Sequence, residues 1–556
     1  MGQVDDLANR YVVEWAPLNP TGATFVGIPG QDDKLDDLSP EGFEAQADLT
    51  RRTLAELDVV EPETESEQVA KDAMLERLGL ELARHDAGYT ASDISVISSG
   101  VHGLRMVFDL MPTEGEEAVS NIAARLGAFP AAVEQYKQTL REMADAGQVS
   151  ARAQMLAVAE QCDAWTDPAR DNFFHALADR IDAGGTLEAE LRRGAAAATA
   201  ATAGFGEFLR AELAPRGREK EAAGPERYAL ASQYFLGAKV DQLETYAWGF
   251  EELFRLENEM RAVSARIAGP GASVDEAAAM LDADPARHIA GKEQFRDWMQ
   301  ALANKAVEEL NGVHFDIPEK MRRLECLIAP TSDGSIYYTA PSEDFSRPGR
   351  MWWAVPEGID EFSTWKEVTT VYHEGVPGHH LQVGQTHLRA ELLNRWQRLL
   401  CWCSGHGEGW ALYAERLMDD LGYLADPGDK LGMLDGQALR ATRVIVDIGM
   451  HLELEIPRDN PFGFHPGERW TPDLGWEFLR AHCRMTDEVL RFEWKRYLGW
   501  PGQAPSYKIG ERIWLQARDE AHQRKGADFD LKTFHRDALN LGPLGLDPLR
   551  KALARL

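Results

Sequence analysis

Residues Val371–Gln382 read Val-Tyr-His-Glu-Gly-Val-Pro-Gly-His-His-Leu-Gln, and this stretch contains the most informative group of residues in the chain. It places His373 and Glu374 close to two further histidines, His379 and His380. Imidazole nitrogens are good ligands for zinc, and a carboxylate beside a ligand can take a proton from metal-bound water. Five of the 15 histidines fall in one short segment that begins at His373. The stretch therefore predicts a metal site on a helix.

The spacing of these histidines departs from the His-Glu-x-x-His signature, whose two ligands stand one helical turn apart. The residue four positions after His373 is Pro377. In an unbroken helix, His380 would lie roughly 10 Å further along the axis than His373, too far to share one ion. Proline kinks a helix and glycine accepts unusual dihedral angles, so we predict a bend at Pro377–Gly378. The bend would bring His379 next to His373, with His380 as the alternative second ligand.

A third ligand is expected in Ser404–Leu417, which reads Ser-Gly-His-Gly-Glu-Gly-Trp-Ala-Leu-Tyr-Ala-Glu-Arg-Leu. Glu408 is favoured because glycines on both sides let neighbouring backbone approach closely. The number of residues between His379 and Glu408 also allows one helix, a turn and a second, antiparallel helix. A carboxylate in the first turn of a helix is common by itself, because the helix dipole favours it. Together with two histidines, however, Glu408 completes a His, His, Glu set that leaves a fourth position for water.

Three motifs carry a resemblance to a known family. They are His-Glu-x-x-Pro-Gly-His-His-x-Gln from His373, Glu-Gly-Trp-Ala-Leu-Tyr-Ala-Glu from Glu408, and Pro-Gly-Gln-Ala from Pro501. They resemble the bacterial family named domain of unknown function 885 (DUF885), and Tyr338–Gly349 and the run Arg443–His451 extend the match. The family is similar to helical zinc peptidases. The resemblance implies a mainly α, metallopeptidase-like fold that binds one zinc ion, without identifying a substrate.

Further residues are candidates for supporting roles. Asp447 and His451 stand four apart on a helix predicted over 435–454 and therefore share a face. One would accept a hydrogen bond from a ligand imidazole and the other would stabilise an oxyanion. Arg443, on the same face, would bind a substrate carboxylate or pair with Asp447. Tyr507 is a candidate donor to a tetrahedral intermediate.

These assignments form one hypothesis, a zinc hydrolase that cleaves amide bonds of a peptide or small amide substrate. Glu374 acts as the general base that takes a proton from water. Glu415 and Arg347 are further candidates for supporting a ligand or binding the substrate. A metal hydrolase of a non-peptide amide or ester would share every motif. A binding or scaffold protein with a degenerate site is the other alternative.

Composition narrows the class of protein. A net charge of −32 argues against nucleic acid as a partner, because phosphate binding needs concentrated Lys and Arg. The longest apolar runs are far shorter than the ~20 residues that span a bilayer, so no membrane partner is expected. The first residues show no basic patch followed by an apolar stretch, and the five cysteines are few and odd in number. We therefore expect a cytoplasmic protein with reduced thiols.

Helical periodicity dominates the chain and predicts a mainly α fold. We expect helices in the segments 41–57, 66–86, 131–162, 168–182, 185–212, 240–266 and 289–311. The metal motifs come later in the sequence, so we expect two lobes of one body. Residues 1–320 would form an N-terminal helical lobe and residues 321–556 a metallopeptidase-like catalytic lobe.

Extended structure is expected only in a short region before the metal motif. Residues 327–329, 336–339 and 351–355 are rich in β-branched and aromatic side chains and are bounded by turn residues. They predict a small sheet beside the metal helix. Its edge strand would hold a substrate backbone by main-chain hydrogen bonds, or the strands would form a simple structural hairpin.

Overall fold

Two compact units make up the chain. The computed structural model describes residues 2–169, 172–329, 336–342, 345–356 and 358–555. The first unit contains Met1–Glu63, Arg77–Ala223 and Phe492–Trp500, and the second contains Thr64–Glu76, Gly224–Arg491 and Pro501–Leu556. This division does not coincide with the boundary expected between residues 320 and 321. The difference arises because helices between residues 224 and 320 pack on the helices that carry the metal motifs and therefore belong to the second unit.

The first unit is helical. The helices that precede residue 223, of which α4 contributes to both units, are α1 (Gln3–Leu18), α2 (Pro20–Phe25), α3 (Pro40–Val59), α4 (Glu65–Asp86), α5 (Tyr89–Ser92), α6 (Gly100–Met106), α7 (Glu116–Asp145), α8 (Arg152–Thr166), α9 (Phe173–Arg180) and α10 (Gly185–Phe208). Its core is centred on aromatic rings. Phe129 and Phe174 pack edge to face, and Tyr136 stacks on Phe205. All four side chains are fully buried, which closes α7, α9 and α10 around one apolar interior.

The second unit carries all the candidate site residues. Its helices, of which α21 also contributes to the first unit, are α11 (Pro225–Leu236), α12 (Gln242–Ala268), α13 (Val274–Asp282), α14 (Lys292–Leu310), α15 (Thr364–Glu374), α16 (His379–Leu388), α17 (Arg395–Leu399), α18 (Ser404–Asp420), α19 (Pro427–His451), α20 (Pro472–His482), α21 (Asp487–Gly499), α22 (Ser506–Lys525), α23 (Leu531–Asn540) and α24 (Leu546–Arg555). Helix α19 is its central element, because α12, α15 and α20 all pack on it.

Only small sheets accompany the helices among the described residues, so the predicted mainly α fold is confirmed. The strands are β1 (His288–Ala290), β2 (Leu324–Ile328), β3 (Tyr337–Thr339), β4 (Gly349–Trp353) and β5 (Glu361–Ser363). β1 pairs antiparallel with β5. β4 lies between β2, which is parallel to it, and β3, which is antiparallel. β2, β3 and β4 correspond to the three predicted strands, and β4 contacts α16, so the predicted sheet beside the metal helix is present.

One helix prediction was wrong. The segment 131–162 was expected to be continuous, but α7 ends at Asp145 and α8 begins at Arg152. Gly147 adopts a φ of 78° in the connection, a left-handed conformation that ends helices. The apolar spacing on both sides remains helical, so periodicity alone could not reveal the break.

Glycines allow α18 and α22 to cross closely. A Cβ atom on Gly510 would lie 2.1 Å from the carbonyl oxygen of Gly405, and one on Gly409 would lie 2.5 Å from the carbonyl carbon of Gly510. No other residue fits at these positions without moving a backbone. The crossing fixes the helix that carries Glu408 against the helix that carries Tyr507.

Candidate metal centre

The predicted bend at Pro377–Gly378 is present as a break between two helices. Helix α15 ends at Glu374, and α16 begins at His379. We had expected a bulge inside one helix. The structure differs because Gly375 and Gly378 both have ψ values near −130°, which no helix contains.

Specific contacts hold this turn in place. The indole of Trp410 on α18 donates to the carbonyl oxygen of Pro377 at 2.9 Å. The amide of Gly378 donates to the carbonyl oxygen of Tyr372 at 3.0 Å. A Cβ on Gly378 would lie 1.9 Å from the carbonyl oxygen of His373, so this position requires glycine. The tight turn sets the His379 ring 4.8 Å from the His373 ring, centroid to centroid.

The three predicted ligands converge. Oε2 of Glu408 lies 3.4 Å from Nε2 of His373 and 3.3 Å from Nε2 of His379. One ligand atom from each residue lies within 4.8 Å of the other two. Zinc bonds of 2.0–2.2 Å in a tetrahedral arrangement place neighbouring ligand atoms roughly 3.4 Å apart. The donor types and their spacing therefore fit a zinc ion.

Glu415 orients His373, the first of the predicted ligands. Nδ1 of His373 lies 2.7 Å from Oε1 of Glu415, and the hydroxyl of Thr369 donates to Oε2 at 2.6 Å. A carboxylate that accepts from one ring nitrogen fixes the tautomer and directs the other nitrogen at the metal. Glu415, which the sequence analysis named among the supporting candidates, thus has the role that was described there for Asp447 or His451. Its spacing of two helical turns after Glu408 was the available signal.

Glu415→Gln is therefore expected to weaken zinc binding roughly 10- to 100-fold, because a neutral amide holds the imidazole less firmly. Competition with a chromophoric zinc chelator measures the effect. Asp419→Asn is a matched control, since Asp419 lies on the same helix but pairs with Lys430 at 2.8 Å. Wild-type zinc affinity in the Glu415 variant would contradict the assigned role.

The electrostatics favour a positive charge where the ligand atoms meet. Burial lowers the pKa of His373, but hydrogen bonds with Glu408 and Glu415 outweigh it and raise the pKa to about 10. Burial also raises the pKa of Glu408, yet the charges and hydrogen bonds of the two imidazoles hold it well below its usual range. A carboxylate that stays ionised beside imidazoles stabilises a bound cation.

Glu374 lies beside these ligands without belonging to them. It is 6% exposed, and its Oε2 is buried without a hydrogen-bond partner among the described residues. Burial raises the pKa of Glu374, and the imidazoles of His373 and His379 oppose that effect. An unsatisfied buried carboxylate oxygen is costly, and such atoms mark places where a ligand or water completes the site.

The structure argues against His380 as the alternative ligand. Its Nε2 donates to the carbonyl oxygen of Met321 at 2.8 Å, and its Nδ1 accepts from the hydroxyl of Tyr338 at 2.9 Å. Burial lowers the pKa of His380 to about 4, so the ring is neutral and both nitrogens are occupied. His380 joins α16 to the small sheet instead.

Neither Asp447 nor His451 hydrogen-bonds a ligand imidazole among the described residues, because Nδ1 of His373 pairs with Glu415 and Nδ1 of His379 has no partner there. The ligand-supporting role expected for one of them is therefore wrong. Oδ2 of Asp447 accepts from the hydroxyl of Tyr228 at 2.8 Å and from the amide of Gly502 at 2.9 Å. His451 stacks on Tyr228 with ring centroids 5.6 Å apart. Asp447 therefore anchors the loop that precedes α22 and so helps to position Tyr507.

Arg443 has a contact with Tyr507, and Arg347 has one with Ala340. The guanidinium of Arg443 lies 5.1 Å from the centre of the Tyr507 ring. Arg347 is exposed and donates to the carbonyl oxygen of Ala340 at 3.1 Å, within its own loop.

Two residues near the centre were missed from the sequence. Trp402 is 50% exposed, and its ring centre lies 6.4 Å from that of His379. Its ring covers Gly407, where a Cβ would lie 2.4 Å from Cη2. Arg440 on α19 lowers the pKa of both Glu374 and Glu415. The signal for Arg440 was its position one turn before Arg443 on the same helix face.

A sequence model of one family matches almost the whole chain. The family is described as "Bacterial protein of unknown function (DUF885)", and the match covers residues 20–553. The chain belongs to this family. The resemblance found from the motifs is thereby confirmed, and it extends through the N-terminal half of this DUF885 member as well. A comparison with curated proteins found no match.

Two solved structures are similar to this DUF885 member. One is described as a "putative lipoprotein from Colwellia psychrerythraea"; it is 20% identical with a TM-score of 0.84, over 100% of this chain and 98% of that chain. The other is described as "a putative lipoprotein of unknown function from Shewanella oneidensis"; it is 18% identical with a TM-score of 0.74, over 100% of both chains. At these identities the likeness shows the fold alone. Within the described residues, no helix has the length and apolar character needed to cross a bilayer.

Proposed function

We propose that this protein is a zinc-dependent hydrolase that cleaves amide bonds, with short peptides as the substrate class. The observation that carries the proposal is the convergence of His373, His379 and Glu408 within 4.8 Å of one another, beside the buried carboxylate of Glu374. Two imidazoles, one carboxylate and an adjacent glutamate are the groups that metal-assisted hydrolysis needs.

His373, His379 and Glu408 would hold the zinc ion, and water or substrate would supply its remaining contact. Zinc bound by His373, His379 and Glu408 would lower the pKa of a coordinated water and polarise the carbonyl of an amide. Glu415 keeps the His373 ring in the orientation that points Nε2 toward Glu408. Glu408 remains ionised because both imidazoles lower its pKa.

Glu374 moves the proton. Its Oε2 has no hydrogen-bond partner among the described residues, so it is free to accept a proton from a water molecule in the site. Burial raises the pKa of Glu374, which makes its carboxylate a stronger base than an exposed glutamate. The same group then returns the proton to the leaving amine. Tyr507 is the proposed donor to the oxyanion, since His451 lies against Tyr228 instead.

The small sheet supports peptides as the substrate class. β3 pairs with β4 on one side only among the described residues, so it is an edge strand. Its Tyr338 is hydrogen-bonded to His380, the residue that follows the ligand His379. An edge strand tied to the metal helix offers main-chain donors and acceptors to an extended substrate backbone.

Metal analysis tests the proposal directly. Protein purified from zinc-replete cells is expected to contain about one equivalent of zinc. Its removal with a chelator should abolish hydrolysis of a mixed peptide library, and added zinc should restore it. Absence of zinc would favour the scaffold alternative. Bound zinc with cleavage of small esters or non-peptide amides, but not peptides, would favour the other hydrolase class.

The cellular location needs its own experiment. The cytoplasmic location expected from composition remains a prediction for this chain. The two similar structures are described as putative lipoproteins, and a lipoprotein is anchored at the cell envelope. Fractionation of cells that express the full-length gene, followed by immunoblotting, distinguishes the two locations.

A further inference from the structure

One face of α19 runs past the candidate metal centre. Gly436, Arg440, Arg443 and Asp447 recur at helical spacing and therefore lie on that face. At one end, a Cβ on Gly436 would lie 3.9 Å from Oε2 of Glu415. Further along, Arg443 contacts the Tyr507 ring. Arg440 thus lies between the carboxylate that orients His373 and the proposed oxyanion donor.

Arg440 is close to carboxylates without pairing with them. Its charge lowers the pKa of Glu374 and Glu415, but it forms no ion pair within 4.0 Å among the described residues. Nη1 donates to the carbonyl oxygen of Gly436 at 3.2 Å, and Nε is buried without a partner in the part of the chain that the structure describes. By contrast, Arg416 donates from both terminal nitrogens to the carboxylate of Glu259 at 3.1 Å.

The guanidinium of Arg440 is placed to bind an anion. Arginine stays charged at every physiological pH, and its planar fork matches a carboxylate in a bidentate geometry. A partly buried guanidinium with no described carboxylate within 4.0 Å loses solvation that a directly bound carboxylate would restore. The side chain is only half-buried, so a ligand can reach it.

We propose that Arg440 binds a carboxylate of the substrate and so selects peptides that carry a carboxylate close to the scissile bond. The inference rests on the proposed hydrolase function and specifies its substrate class. Both a free C-terminal carboxylate and an acidic side chain supply this group. Arg440 is a binding residue in this assignment, whereas Glu374 carries out the proton transfer.

Matched peptides test the proposal. Tripeptides with a free C-terminus, the same tripeptides as C-terminal amides, and amides with an acidic final side chain are compared as substrates. The wild-type protein is expected to prefer a carboxylate-bearing series over the plain amides. Arg440→Gln should lower kcat/KM for that series roughly 10- to 100-fold, mainly through KM, and leave the plain amides nearly unchanged. Arg440→Lys should recover part of the preference, since it keeps the charge but loses the fork.

Controls separate this proposal from its alternatives. Arg416→Gln, which removes an arginine already paired with Glu259, should leave the preference ratio unchanged. An equal loss for all substrates in Arg440→Gln would show that Arg440 only supports Glu374 and Glu415, and would overturn the proposal. The proposal is also overturned if the wild-type protein shows no preference for the carboxylate-bearing series over the plain amides. If no peptide is cleaved, binding of the same peptides to the zinc-loaded protein is measured by calorimetry. Tighter binding of the carboxylate-bearing peptides that is lost in Arg440→Gln supports the role of Arg440, while the peptidase proposal fails. Equal binding of all the peptides to the wild-type protein rejects the role of Arg440.

Discussion

Glu374→Gln is expected to leave zinc bound while lowering kcat for peptide hydrolysis roughly 10²- to 10⁴-fold, the usual contribution of a general base. Glutamine has nearly the same shape as glutamate but cannot accept a proton at neutral pH. The proposed zinc ligands are other residues, so the metal content should not change. Single-turnover hydrolysis and zinc analysis of the same preparation measure both quantities.

A carboxylate elsewhere on the same helix provides the control. Glu367 lies about two turns before Glu374 on α15 and accepts a hydrogen bond from the Trp353 indole at 3.2 Å. Glu367→Gln should keep both zinc and activity. Full activity of the Glu374 variant would reject Glu374 as the base, and loss of zinc from it would mean that Glu374 is itself a ligand.

His379→Ala and His380→Ala should have opposite effects, although the two residues are adjacent. Loss of His379 removes one of the three proposed zinc ligands, so zinc affinity should fall by more than the roughly 10- to 100-fold typical of a supporting residue, and activity should be lost. Loss of His380 leaves Met321 and Tyr338 without their buried hydrogen-bond partner. It should lower the free energy of unfolding by about 1–3 kcal/mol and leave zinc bound.

Zinc titration and chemical denaturation of the two variants separate these effects. Because both substitutions remove an imidazole from the same helix, each variant is the matched control for the other. If His380→Ala lost zinc while His379→Ala retained it, the ligand assignment drawn from the distances would be wrong.

Local sequence was sufficient to predict the structural features that depend only on neighbouring residues. The break at Pro377–Gly378 follows from a residue without an amide proton beside one that tolerates unusual dihedral angles. The helices around Glu408 and Asp447 follow from apolar spacing. The choice of His373, His379 and Glu408 came from donor chemistry together with chain separation.

Roles that depend on a partner from elsewhere in the chain were harder to predict. Glu415 and Asp447 are both buried acids on helices, and the sequence favoured Asp447 because it shares a face with His451. Packing decided otherwise, because α18 turns Glu415 toward His373 whereas Asp447 meets Tyr228 and Gly502. Periodicity defines which residues share a face, but not which helix that face meets.

The sequence by itself determined a mainly α chain with a broken helix and a set of imidazole and carboxylate donors, because these properties follow from residue type and short-range geometry. Only the tertiary structure decided that Nε2 of His379 lies 3.3 Å from Glu408 while the adjacent His380 is bound to Met321 and Tyr338. Successive helical residues point about 100° apart, so the turn that starts α16 and the packing of α18 select the imidazole that faces the centre.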